Sequence, residues 1–245
     1  MTTIEKATDV LFFLHSQPGA CGVTTVAREL GVPKTSAHRL LRSLMHRNLV
    51  ERDDSGQYRL GFGLALLGFG AAGREPLVHL ARPALEAASR ELGETFFLVC
   101  LRRGELVVVD KVEGRGFIRA APEVGSTVPV HATAVGKSFA AYLPELAALD
   151  PSHLEAYTKH TVTRTSEWRR QVALSRAVGY AVSHDEWIEG LSAVASPILS
   201  QGRVVATVAA ALVSSRARQI GEQRVARITV EAARCVSERL QGRET

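Results

Sequence analysis

Over the first sixty residues the apolar positions fall in short helical registers separated by breakers. Ala7, Val10, Leu11 and Leu14 recur at helical spacing, and Gln17-Pro18-Gly19 stops that run. A second short helix is predicted through Val23, Val26, Ala27 and Leu30, capped by Thr24 or Thr25 and ended by Gly31. In the third stretch, Val32 to Asn48, Pro33 suits a first helical turn. Ala37, Leu40, Leu41 and Leu44 then fall at i, i+3, i+4 and i+7 and form one apolar stripe. The opposite face carries Lys34, Thr35, Ser36, His38, Arg39, Arg42 and Arg47, with no acid from Val32 to Val50.

The very short turn Gly31-Val32-Pro33 makes the second and third helices a helix-turn-helix. Leu49 to Arg52 and Gln57 to Leu60 read as two strands around the turn Asp53-Asp54-Ser55-Gly56, the place of a wing. A helix that is apolar on one side and cationic on the other fits a DNA major groove. Thr35, Ser36, His38 and Arg39 lie early and outward, where base edges are read. Lys34, Arg42 and Arg47 suit phosphates, and Arg52, Gln57 and Arg59 on the wing suit phosphate or the minor groove. Thr24 and Thr25 at the start of the second helix complete the expected DNA contacts, while Tyr58 is expected to pack inward.

The pattern changes after residue 61. Gly61 to Gly73 is rich in glycine, alanine and leucine, and reads as a linker helix over 62–75. Its apolar face either meets a second copy or packs on its own domain. Leu80, Ala84, Leu85, Ala88 and Leu92 then begin a second domain, 76–245, after a first domain of 1–61. Thr95 to Leu101, Glu105 to Val112, Phe117 to Ala121, Val128 to Val130, Ala181 to Ser183, Ala193 to Leu199 and Val204 to Leu212 read as strands. Ala134 to Leu143, His153 to His160, Ser166 to Val178 and Ile220 to Leu240 read as helices. Hairpins dominate, so the expected class is α+β: a winged helix-turn-helix, a linker helix and an antiparallel sheet flanked by helices.

With 245 residues, 46% of them hydrophobic and 22% charged, the chain can bury a core in each domain. The formal charge of +5 admits a polyanionic partner without requiring one. Cys21, Cys100 and Cys235 are odd in number and far apart, which argues against a disulfide framework or a zinc site. The start lacks signal-peptide character, and no stretch is apolar enough to span a bilayer, so a cytoplasmic protein is expected.

Catalysis finds no support. Gly136-Lys137-Ser138 ends like a phosphate-binding loop, but His131 occupies the place of that motif's first glycine. Ser183-His184-Asp185 names a hydrolase triad, yet neighbours on a strand point to opposite faces. His153 and His160 lack a third ligand, and no cofactor or metal is expected. The small residues from His131 to Gly136 open a helix that either receives a carboxylate on free amides or is packed tightly for structural reasons.

The runs ARELGVPKTSAHRLLRSL, LVERDDSGQYRLG, VPVHATAVGKSFAAYLP, GYAVSHDEWIEGLSAVASPI and GRVVATVAAALV together resemble the IclR type of bacterial transcription regulators over nearly the whole chain. The resemblance implies a dimer or dimer pair on a palindromic double-stranded operator, with a C-terminal domain that binds a small, often carboxylated effector. It implies an effector pocket at Ala134, Val135, Ser183, Ala193, Ala209 and Ala211. The family often has an acid, a cysteine and two serines at the last four positions, where this chain has one hydroxyl and three methyls. A small oxo acid would lose hydrogen-bond partners there, so an aromatic acid is expected, with Phe96, Phe97 or Trp187 as walls. The alternative is a constitutive DNA-binding protein whose C-terminal domain only oligomerises.

Overall fold

The computed structural model describes residues 2–72, 76–116, 122–148 and 155–242. The chain forms two compact units, residues 1–75 and 76–245.

The first unit is built on three helices and a hairpin: α1 (Thr3–Ser16), α2 (Val23–Glu29), α3 (Lys34–Met45), β1 (Val50–Arg52) and β2 (Tyr58–Leu60). A capping box closes the start of α1, with Thr2 and Glu5 satisfying each other's backbone amides. The N-cap of α2 is Gly22, not Thr24 or Thr25; both threonines lie inside the first turn, and no side chain caps it. Pro33 stands one position earlier than expected, at the N-cap of α3. The apolar stripe is buried as read: Ala37, Leu40, Leu41 and Leu44 pack against Val10, Leu14, Val26, Val50 and Tyr58. Met45 is half-buried beside them, whereas His46 is exposed. β1 and β2 pair antiparallel, and an isolated bridge from Cys21 to Tyr58 joins the hairpin to the start of α2. Helix α4 (Phe62–Ala72) follows the hairpin, and Glu51 accepts the Phe62 amide at its start.

The second unit is a six-stranded antiparallel sheet in the order β5-β4-β3-β8-β7-β6. Its strands are β3 (Thr95–Arg102), β4 (Glu105–Val112), β5 (Thr127–Val128), β6 (Ala181–His184), β7 (Leu191–Ser200) and β8 (Arg203–Val213). Both faces are covered, so the central strands are continuous apolar runs rather than alternating ones. Phe96, Leu98, Ala210 and Leu212 face α5 (Pro76–Leu92) and α10 (Glu222–Gln241). Phe97, Val99, Ala209 and Ala211 face α6 (Ala134–Ala140), whose Val135 and Phe139 close that layer. The short α7 (Pro144–Ala147) and α8 (Thr165–Val178) lie beyond, where buried Trp168 donates to the Ala147 carbonyl at 3.1 Å. Among the described residues no helix is long and apolar enough to cross a membrane.

One expectation fails here, and another falls outside the described residues. The strand read over Phe117 to Ala121 lies outside the described residues. Of the helix read over His153 to His160, the described part, Glu155 to His160, is loop. Its Thr158 and Thr161 hydroxyls donate to the carbonyls of Asp185 and Glu186, each at 2.6 Å, and such bonds compete with helix. The closing helix read over Ile220 to Leu240 is α10, and ahead of it lies a further helix that the reading did not contain, α9 (Ser214–Ile220), which ends at Gly221, whose φ of +88° breaks the helical path.

Two substitutions test this packing. Leu41 is fully buried, so Leu41→Ala should cost about 3 kcal/mol, read by far-UV circular dichroism as a lower guanidinium midpoint. Gly136 sits in α6 against the chain before it, where a Cβ would stand 1.8 Å from the Val130 carbonyl oxygen. Gly136→Ala should therefore destabilise by more than about 2 kcal/mol, against the ~1 kcal/mol that alanine normally gains over glycine in a helix. Fluorescence of the chain's two tryptophans, Trp168 and Trp187, reports that loss, since both lie in the second unit.

Candidate functional site

In the first unit most of the predicted contacts are exposed. On α3, Lys34, Thr35, His38, Arg39 and Arg42 are exposed and Ser36 is half-buried, while the buried leucines hold the helix from behind. Lys34, Arg39 and Arg42 form no ion pair among the described residues. Arg47 beyond the helix is exposed too. Thr24 is exposed and Thr25 half-buried at the start of α2.

The wing is more committed than its sequence suggests. Arg59 is exposed but approaches Glu51 at 3.4 Å. Arg52 donates to the Gly56 carbonyl at 3.0 Å and lies over the Tyr58 ring, 5.6 Å from its centre, so it holds the turn. Tyr58 is buried as expected. The Phe62 amide, more than the neighbouring Arg59, holds the Glu51 carboxyl below its usual range. Glu51 is therefore an anion that links hairpin and α4 at neutral pH.

In the second unit the register of three strands builds one row. Ser183 on β6 pairs with Ala193 on β7, and Ala193 pairs with Ala211 on β8. All three side chains face α6, and together with Ala134 and Val135 they line one cavity of about 30 Å³. Ala209 does not join them. It lies in the next row, paired with Ala195 and Phe97, and is fully buried in the core. Phe97 and Trp187 are walls, but Phe96 belongs to the opposite face of the sheet.

Sequence reading missed Thr133, which lines the same cavity and caps α6 by accepting the Gly136 amide at 3.0 Å. A threonine just before an apolar helical run is an N-cap signal that could have found it. The bond also removes one of the free amides expected at the α6 start. Ile188, from the loop after β6, and Leu191, the first residue of β7, also line the cavity. No periodicity marks them.

Lys137 is withdrawn from any ligand. It is 1% exposed, and its amine donates to the Val182 carbonyl at 2.9 Å and to Glu186 Oε1 at 2.5 Å. Burial pushes that amine below its usual range, and the Glu186 carboxylate opposes the shift. His184 points to the face opposite Ser183, where it meets Ser192, so Ser183, His184 and Asp185 form no triad.

Comparison with known proteins places the chain in a family. Residues 3–54 match the IclR helix-turn-helix domain, and residues 69–238 match the bacterial transcriptional regulator IclR C-terminal family. The chain is 30% identical over 219 residues to the HTH-type transcriptional regulator XynR of Escherichia coli, covering 87% of each. It is similar in structure to the IclR of Thermotoga maritima, with a TM-score of 0.82 and 28% identity over 98% of both chains. An IclR homologue from Microbacterium hydrocarbonoxydans, solved in complex with 4-hydroxybenzoate, superimposes with a TM-score of 0.85 at 25% identity, covering 98% of this chain and all of that one. The chain belongs to the IclR family of DNA-binding bacterial transcription regulators.

Proposed function

We propose that the protein is a ligand-responsive regulator in which α3 enters the major groove of a palindromic operator and an aromatic acid is sensed in the second unit. The observation that supports the first half is the exposed, unpaired cationic face of α3 backed by buried leucines. In this reading Thr35, Ser36, His38 and Arg39 meet base edges, while Lys34, Arg42, Thr24 and Thr25 meet backbone, with Arg59 reaching phosphate from the wing.

The cavity row supports the second half. It offers the Ser183 hydroxyl and a surface of methyl and aromatic groups, which suits a ring better than a small oxo acid. That a homologue was solved with 4-hydroxybenzoate supports the same ligand class here. As bounded by the described residues, about 30 Å³ holds only one or two waters. Binding therefore requires the loop of Trp187 and Ile188 to move outward. The small volume also favours a second reading, a constitutive DNA binder whose C-terminal unit serves only assembly.

Self-association is part of the proposal. Phe62, Leu66 and Leu67 on α4 are all more than half exposed, 63%, 59% and 62%. Burying such side chains against a second copy would stabilise a dimer by about 1.5–3 kcal/mol each. Effector binding would then change the spacing of two α3 helices, which must reach major grooves about 34 Å apart.

Two experiments test the assignments. Arg39→Ala should relax base preference by about 1–3 kcal/mol at one operator position, whereas Arg42→Ala should weaken all DNA and lower the salt slope by about one. Quantitative footprinting across a salt series separates the two, and unchanged binding by both variants would refute the groove assignment. Calorimetry with a panel of benzoates and small oxo acids should give binding to the benzoates. Tight binding of oxo acids alone would overturn the aromatic reading, and no binding would leave the constitutive one.

A further inference from the structure

A further cavity of the second unit lies on the other face of the sheet from the Ala134–Ser183 cavity. It encloses about 390 Å³, against about 30 Å³ for its neighbour. The same pairing that turns Ser183 and Ala193 towards α6 turns His184 and Ser192 the opposite way. Val194, Leu212 and Val225 form an apolar wall, and the junction of α9 and α10 closes the other side at Ala217 and Gly221.

Its polar groups are held in place by one another. Ser192 and Ser214 share a hydroxyl contact at 2.9 Å, and Ser214 donates to Asp185 Oδ1 at 2.7 Å. The Gly190 amide also donates to that oxygen, at 2.8 Å, while Asp185 Oδ2 accepts nothing from the described residues. His184 spans Ser192 at 3.2 Å and Glu222 at 3.1 Å, which positions the second carboxylate. The Ser214 hydroxyl, ahead of the Gly190 amide and the fields of His160 and Arg218, holds the Asp185 carboxyl below its usual range against the effect of burial. Asp185 is thus an anion at neutral pH.

Arg218 lines the same space and pairs with none of these groups. Arg28, Arg59, Arg82, Arg170, Arg216, Arg227 and Arg234 each find a carboxylate within 4 Å, but Arg218, with two carboxylates across its own cavity, reaches neither. The amino end of α10 borders the cavity as well, and its N-cap, Gly221, has no side chain to satisfy the first amides. One part of the rim therefore favours an anion and another favours a cation, across a gap the protein leaves open.

We propose that this cavity is a second small-molecule site and that it takes a free α-amino acid with an apolar side chain. The ammonium sits between Asp185 Oδ2 and Glu222, the carboxylate meets Arg218 and the start of α10, and the side chain lies on Val194, Leu212 and Val225. A simple acid would face two carboxylates, and a simple amine would face Arg218. A zwitterion satisfies both, and the volume admits a side chain of leucine or phenylalanine size. This site is separate from the aromatic-acid cavity, and neither depends on the other.

Calorimetry on the full-length protein tests it with L-leucine and L-phenylalanine, beside isocaproate and isopentylamine, which lack the amino and the carboxyl group of leucine. At least one amino acid should bind once per chain, and the two truncated analogues should bind at least about tenfold more weakly. Arg218→Gln and Glu222→Gln, both on exposed side chains, should each weaken amino-acid binding at least about tenfold, with thermal unfolding unchanged as the check on folding. No amino-acid binding at millimolar concentration would overturn the proposal. So would analogues that bind as tightly as leucine, or affinity that neither substitution alters.

Discussion

The ion pair between Lys137 and Glu186 fixes the geometry on which the second unit depends. It joins α6 to the loop after β6 across the seam where Ala134, Val135, Ser183 and Trp187 meet. Both partners are buried, so neither can be removed without stranding the other as an uncompensated charge, a loss of about 3–5 kcal/mol. The pair is not fully satisfied even so, because Glu186 Oε2 is buried without a partner. A contact of that kind is better understood as fixing position than as adding stability. Gly136 completes the constraint from the other side, since only a residue without Cβ lets α6 lie so near Val130.

Those two residues show how far the sequence could be read. Gly136-Lys137-Ser138 was legible as not being a phosphate loop, because a glycine was missing at His131. That the lysine is a buried strut was not legible, since its partner lies 49 residues away and only the fold brings it there. The helices of the helix-turn-helix were readable, because local periodicity and tight turns specify them without long-range help, although the cap of α2 is Gly22 and not a threonine. The same periodicity located the closing helix, α10, but left out α9, the short helix that the positive-φ backbone at Gly221 separates from it. Glu155 to His160 failed for another reason: the hydroxyls of Thr158 and Thr161 bond to a distant turn rather than leaving the segment helical.

The row Ser183, Ala193 and Ala211 is a case between these. Each residue was named through the resemblance, but their meeting is a consequence of antiparallel register, which sets direct cross-strand neighbours at about 4.5–5.5 Å. Moving two positions along β8 reaches Ala209 on the same face, beneath the core and away from the cavity. Moving one position reaches Leu212, on the opposite face with His184 and Ser192. One hairpin thus presents methyl groups to one layer and a polar cluster to the other. This contrast follows from the two-residue period of a strand and needs no further device.

The helix ends of the first unit carry a parallel contrast. Helix α1 closes its own start with Thr2 and Glu5, the arrangement expected of a helix whose amides must be satisfied within the protein. Helix α3 has Pro33 at its N-cap, with no side-chain bond and no acid in its first turn. Its free amides and dipole add to Lys34 and the arginines instead of cancelling them. Two helices from one short sequence thus meet opposite demands. One contributes stability by itself, and the other leaves the donors of its first turn without a side-chain partner.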